Sequence, residues 1–255
     1  MAIFEGEVAV VSGAASGLGE ATARSLAARG MVPAIFDLNA EAGKAVARDV
    51  GGRFYTVDVT DPASVAGAIA EVAADLGTIR VAVSCAGIAP AAKTVSRGEA
   101  HDPALFSKTI AVNLIGTFNL ASQAAARMVG AEPVDGDGTR GVLVNTASIA
   151  AYEGQVGQVA YAASKGGVVG LTLPMARDLA DKGVRVAAIA PGLFLTPMLK
   201  GLPQEVQDSL GAQVPFPSRL GDPAEYAALV GHIIDNPMLN GSVLRLDGAI
   251  RLAPR

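Results

Sequence analysis

Residues 8–28 read VAVVSGAASGLGEATARSLAA. Val8 to Val11 is a short β-branched run without polar alternation, as in a strand covered on both faces. Gly17 to Ala28 then carries helical composition. Between them lies Ser12-Gly13-Ala14-Ala15-Ser16-Gly17-Leu18-Gly19, a turn built of small residues. Such a turn lets the backbone come close to a pyrophosphate. The helix that starts there adds free N–H groups and partial positive charge. The spacing is G-x-x-x-G-x-G, and taken alone it also suits a tight turn that holds nothing.

Working outward, the same unit recurs. Strand patterns at Val32–Phe36, Phe54–Val57, Ile79–Val83, Val142–Thr146, Val184–Ile189 and Ser242–Leu246 alternate with helical stretches. The helices are expected at about 40–50, from Pro62, over Ala104–Met128, over Gln158–Ala180 and after Asp222-Pro223. Apolar strands between helices predict an α/β fold, with a parallel sheet covered on both faces. No composition break divides the chain, so one domain over 1–255 is expected. Two segments read as loops. Gly130 to Gly141 is rich in Gly, Asp and Pro. Leu193 to Arg219 holds four prolines and follows a strand's carboxyl end, where α/β folds bind ligands. The latter is a candidate substrate loop, and Leu193, Phe194, Leu195, Met198 and Leu199 could give it an apolar slot.

Composition narrows the function. The chain has 255 residues, of which 51% are apolar and 17% charged, which excludes an intrinsically disordered chain. Its net charge is −4 and no basic block occurs, which argues against a nucleic-acid partner. The N-terminus lacks a basic n-region, so no signal peptide is expected. No apolar stretch reaches the ~18–20 residues of a bilayer span, so no membrane partner is expected either. Cys85 is the sole cysteine. It allows no intramolecular disulfide and suits a cytoplasmic setting. It has no cationic neighbour in sequence, so an inert or ligand-lining thiol fits better than a nucleophile. His101 and His232 have no ligand-spaced partners, and no metal site is expected.

Three residues suggest acid–base chemistry. Tyr161 and Lys165 stand one helical turn apart on one face. Ser148 follows the strand that ends at Thr146. A phenol of pKa ~10 is a poor base near neutral pH, but a neighbouring cation favours the phenolate. The pair could also be a solvated helix face. Asp37 ends the second strand, where a carboxylate can accept from ribose hydroxyls. It could instead cap the following helix. Asp58 could accept from an adenine amino group or cap the helix near Pro62. Asn113 lies inside a predicted helix and could simply bond to backbone.

Jointly these motifs carry a resemblance. The glycine turn, Ser148, Tyr161-x-x-x-Lys165, Asn113 in Val112-Asn-Leu-Ile-Gly116 and Pro191-Gly192 resemble the short-chain dehydrogenase/reductase family over essentially the whole chain. The resemblance implies a single-domain Rossmann fold, doubly wound, with a seven-stranded parallel sheet. It implies Tyr161 as acid/base, Ser148 as stabiliser and Lys165 as the partner that lowers the tyrosine pKa. Asn113 would distort its helix and hold a proton-relay water. Gly166, Gly167 and Gly170 weaken a helix unless something packs closely there. The family packs that helix on another subunit, which implies a homo-oligomer, expected as a homotetramer.

Asn145 to Gln158, Ala190 to Phe194, Val214 to Tyr226 and Leu246 to Arg251 are further similar to family members that act on 3-hydroxyacyl-CoA. So is the insertion at Gly130 to Gly141. By that resemblance NAD lies against Gly13, Ser16, Gly17, Leu18, Gly19, Asp37, Asp58, Val59, Cys85, Ala86, Gly87, Tyr161, Lys165, Phe194 and Thr196. Ser148, Gln155 and Tyr161 then lie at the substrate, an acyl-CoA. The expected activity is NAD-dependent interconversion of a 3-hydroxyacyl-CoA and a 3-oxoacyl-CoA. A broader secondary-alcohol or steroid dehydrogenase, and a non-catalytic nucleotide-binding scaffold, are the alternatives. Two positions depart from the family pattern. Ser12 stands where Thr is usual, and Ser84-Cys85-Ala86-Gly87 stands for Asn-Asn-Ala-Gly.

Overall fold

The computed structural model describes residues 3–254, apart from the side chain of Met198. The chain alternates β1 (Val8–Ser12), α1 (Gly17–Ala28), β2 (Val32–Asp37), α2 (Ala40–Asp49), β3 (Arg53–Thr56), α3 (Pro62–Asp75) and β4 (Ile79–Ser84). A two-stranded hairpin, β5 (Val95–Ser96) and β6 (Glu99–Ala100), precedes α4 (Pro103–Ile110) and α5 (Gly116–Met128). Then come β7 (Gly141–Thr146), α6 (Ala150–Glu153), α7 (Val159–Asp178), β8 (Val184–Pro191), α8 (Pro197–Lys200), α9 (Gln204–Gly211), α10 (Pro223–Asp235) and β9 (Val243–Leu246). The seven long strands form one parallel sheet in the order β3-β2-β1-β4-β7-β8-β9.

Local sequence accounts for many of the boundaries. Helices α3, α4 and α10 each begin at an Asp-Pro pair. Asp61, Asp102 and Asp222 accept the N–H of Ala63, Ala104 and Ala224, and the proline takes the first helical position, where no N–H is needed. The strands are apolar on both sides because both sides are covered. Ala23 and Leu26 of α1 and Tyr226, Val230 and Ile233 of α10 pack on one face. Val65, Ile69 and Val72 of α3 and Leu120, Ala124 and Met128 of α5 pack on the other.

Two segments bear on the sequence expectations. As the resemblance implied at Asn113, the helix expected over 104–128 is distorted, widening into a π turn at Ala111–Ile115. The whole stretch Pro103–Met128 is long and apolar enough to cross a bilayer by length and composition, contrary to the sequence reading. Its buried face, however, lies on the sheet. The segment 193–219 holds two helices, α8 and α9, rather than plain loop. Pro197 opens α8 and Pro203 caps α9, so the prolines that mask periodicity here start helices instead.

Candidate active site

After β1 the chain fills one side of the sheet through β2 and β3, then crosses back to β4. The carboxyl ends of β1 and β4 therefore form a topological switch point, where an open α/β sheet leaves a crevice. The glycine turn lies there. A Cβ at Gly13 would sit 2.7 Å from the Ala86 nitrogen, and one at Gly19 would overlap the Gly13 carbonyl. Gly13 also has φ +63°, and Gly17 has φ +57°. Ser16 caps α1 with extended backbone and makes no side-chain cap bond. The first-turn N–H groups of α1 thus open into the crevice. Thr196 and Pro197 close over them, with Pro197 Cδ 3.3 Å from where a Gly17 Cβ would stand. Leu18 packs into the core beneath.

The Asp37 carboxylate accepts the N–H of Ala15 at 3.0 Å and of Asn39 at 2.9 Å. Asn39, not Asp37, caps α2, so the cap reading of Asp37 is set aside. The carboxylate instead ties the glycine turn to the end of β2. Asp58 likewise does not cap α3; Asp61 does. Asp58 is exposed and accepts from the backbone and hydroxyl of Thr60. Val59 is buried under Gly116, where a Cβ would come within 2.6 Å of it.

On the β4 side, the Ser12 hydroxyl accepts the Ala86 N–H at 3.3 Å, so serine does here what a hydroxyl in the turn is for. Cys85 Sγ lies 3.6 Å from Thr146 Oγ1 and 3.8 Å from the Tyr226 hydroxyl. Burial pushes its thiol up, as expected of an inert cysteine. Asn145, level with Ser84 in the sheet, keeps both amide atoms buried without a protein partner. Asn113 Oδ1 accepts the Ile88 N–H at 2.8 Å, and its Nδ2 donates to Ile88 O at 2.9 Å and Ser164 Oγ at 3.0 Å. The side chain is thus committed to protein partners. It fixes the segment after Gly87 beside the Lys165 ammonium, which lies 3.8 Å from where a Gly87 Cβ would stand.

Ser148, Tyr161 and Lys165 converge from β7 and α7. Lys165 is buried and donates to the Thr146 carbonyl at 2.7 Å. Burial holds its pKa down to about 8. Its ammonium lies 5.8 Å from the centre of the Tyr161 ring. The Ser148 hydroxyl neighbours the Tyr161 phenol and accepts the Ala150 N–H at 3.1 Å. Burial raises the phenol's pKa. The Lys165 ammonium is turned to the Thr146 carbonyl.

A family model described as short chain dehydrogenase matches residues 7–207. The chain belongs to the short-chain dehydrogenase family. It is 54% identical to 3-hydroxyacyl-CoA dehydrogenase type-2 of Homo sapiens over 254 residues, covering 98% of this chain and 97% of the relative. The enzyme of the same name from Drosophila melanogaster is 47% identical over 256 residues, covering 99% and 100%. The crystal structure of 3-hydroxyacyl-CoA dehydrogenase type-2 from Mycobacterium avium superposes with a TM-score of 0.95 at 48% identity, covering 99% of this chain and 98% of that one. The protein is an oxidoreductase acting on a small-molecule substrate, and the sheet is the family's Rossmann sheet.

Two further predicted site residues are held by protein contacts. Phe194 is buried against Gly221, where a Cβ would come within 2.8 Å of the ring. Gln155 donates its amide to the Ala253 carbonyl at 3.0 Å. The sequence reading missed that carboxyl-terminal contact, because no local pattern at residues 248–254 marks it. Thr146 was also missed as the Lys165 acceptor, since a backbone carbonyl leaves no residue-type signal.

Proposed function

We propose that this dehydrogenase uses NAD(H) to interconvert a 3-hydroxyacyl-CoA and a 3-oxoacyl-CoA. The observation that carries the reading is the convergence of Ser148 and Tyr161 with the buried Lys165 ammonium, which lies 5.8 Å from the Tyr161 ring centre. The chain's residues fit the dinucleotide. The glycine turn excludes any Cβ at Gly13 and Gly19, and the open end of α1 suits a pyrophosphate. Asp37 keeps lone pairs for two ribose hydroxyls beyond its two backbone bonds. Bound NAD(H) supplies the hydride donor or acceptor.

In reduction, Tyr161 donates its phenolic proton to the substrate oxygen as negative charge develops there. Ser148 donates a hydrogen bond to the same oxygen and orients it. The Lys165 ammonium stabilises the phenolate left behind and lies where it can reach a ribose. In oxidation the same proton returns to Tyr161. An intact hydroxyl pair beside a buried lysine favours catalysis over a scaffold role.

The substrate class rests on the relatives and on the apolar Leu193–Arg219 segment. The test is kcat/KM for acetoacetyl-CoA against steroid ketones, followed through NADH absorbance. A clear excess for acetoacetyl-CoA supports the reading; equal values support the broader ketoreductase.

We also propose that two or more copies of the chain associate through α5 and α7. Ile115 and Phe118 are about half exposed, and a Cβ at Gly166 or Gly170 would meet nothing within 4 Å, so among the described residues nothing packs there. Sedimentation velocity reads the number of copies.

A further inference from the structure

Beyond β9 the chain does not leave the fold but crosses the mouth of the cleft. The last residue of β9 and the first residues after it hold both roots of the 193–219 segment. The Gly192 N–H donates to Leu246 O at 2.9 Å, and a Cβ at Gly192 would come within 2.9 Å of Asp247. The Phe216 N–H donates to Gly248 O at 3.3 Å, and Gly248 lies so close to Val214 that a Cβ there would overlap it. Further on, Ile250 and Leu252 complete an apolar cluster with Leu193, Val214 and Ile149, the neighbour of Ser148. At its end the segment reaches the link between α6 and α7. Ala253 O accepts from Gln155 at 3.0 Å and Pro254 O accepts the Val156 N–H at 3.0 Å. Arg245 spans the same gap, paired at 2.7 Å with both Glu153 and Asp247.

We infer that residues 248–254 are a strap that fixes the substrate segment to the Ser148–Tyr161 side of the cleft and so sets affinity for the acyl substrate, with Gln155 as its anchor. The inference rests on the reading of Leu193–Arg219 as the substrate segment. Its physical content is that a segment of this length holds one conformation only while its ends are held. Within 248–254 one backbone bond, from Phe216 to Gly248, and one apolar cluster hold the segment here. The glycine turn and Asp37 lie on other elements, and of the segment only Thr196 and Pro197 close over the turn, so losing the strap loosens the substrate more than the cofactor. Gln155 then acts through the strap and not by touching substrate.

The test compares the full chain with one ending at Arg251, with Leu252→Ala, and with Gln155→Ala made in both the full and the shortened chain. Shortening is expected to raise KM for acetoacetyl-CoA about tenfold, and Leu252→Ala about threefold, while the Kd for NADH stays within about twofold. Gln155→Ala raises KM in the full chain and adds nothing in the shortened one, because the two changes remove the same tie. An unchanged KM, a parallel loss of NADH affinity, or an undiminished Gln155→Ala effect in the shortened chain each overturns the strap.

Limited proteolysis with mapped cut sites reads the strap without turnover. Faster cutting confined to 193–219 in the variants is expected, and an unchanged cutting pattern overturns the inference. If the full chain fails to turn over acetoacetyl-CoA, the functional reading falls while the proteolysis result still decides the strap. If the shortened chain does not fold, Leu252→Ala and Gln155→Ala decide it.

Discussion

Lys165 is buried with its ammonium on a backbone carbonyl, and that burial holds its pKa near 8 against an ordinary 10.5. The folded pKa lies below the unfolded one. The unfolded chain therefore binds more protons between about pH 8 and 10.5, and stability gains with pH across that window. The penalty is full below pH 8 and is relieved as pH rises, by on the order of 3 kcal/mol in all. Lys165→Met should remove it, so urea titrations should show the variant's stability advantage over wild type shrinking from pH 8 to 10.5. An advantage independent of pH would mean that the lysine is not held down by burial. Asp37 makes a second case. A 2′-phosphate on its two oxygens would meet like charge, and losing a hydrogen bond to a charged group costs roughly 1.5–3 kcal/mol. Wild type should favour NADH over NADPH by at least about tenfold in kcat/KM, and Asp37→Ala should narrow the gap. Tyr161, Lys165, Ser148 and Asp37 were legible in sequence because their chemistry is carried by side-chain type. Which group lies beside each was not, as the turn of Lys165 to the Thr146 carbonyl shows.

Among the elements, the first strand–turn–helix unit was legible to within a residue, because glycine and small residues there answer to backbone contact. The Gly13 carbonyl leaves no space for a Cβ on Gly19. Gly19→Ala should therefore shift the turn, at the ~1–3 kcal/mol typical of overpacking, and weaken NADH binding by about tenfold or more. Fluorescence titration with NADH beside a urea curve measures both; wild-type affinity would mean that the turn does not hold the cofactor. The π turn at Ala111–Ile115 was not legible from composition. One extra residue per turn changes no hydrophobic pattern over five positions, and the cause lies in Asn113 reaching Ile88, distant in sequence. The helices α8 and α9 were hidden for a different reason. Each is short and proline-started, and pattern reading needs about three turns to find a period.

At the scale of the molecule, strand count and parallel character followed from apolar runs between helices, but the order β3-β2-β1-β4-β7-β8-β9 did not. Order is set by which helices cover which face, and the split of α1 and α10 from α3 and α5 is a tertiary fact. That order puts the glycine turn, the Ser84–Gly87 segment and the Ser148–Tyr161 pair around one crevice, on which the proposed chemistry depends. Steady-state turnover of acetoacetyl-CoA with NADH, measured side by side for wild type and Tyr161→Phe, tests it most directly. Phenylalanine keeps the ring and removes the proton. Since general acid–base groups contribute ~10²–10⁴-fold, kcat should fall by at least about a hundredfold while the Kd for NADH is nearly retained. Turnover by Tyr161→Phe close to wild type would contradict the assignment of Tyr161 as the acid and base.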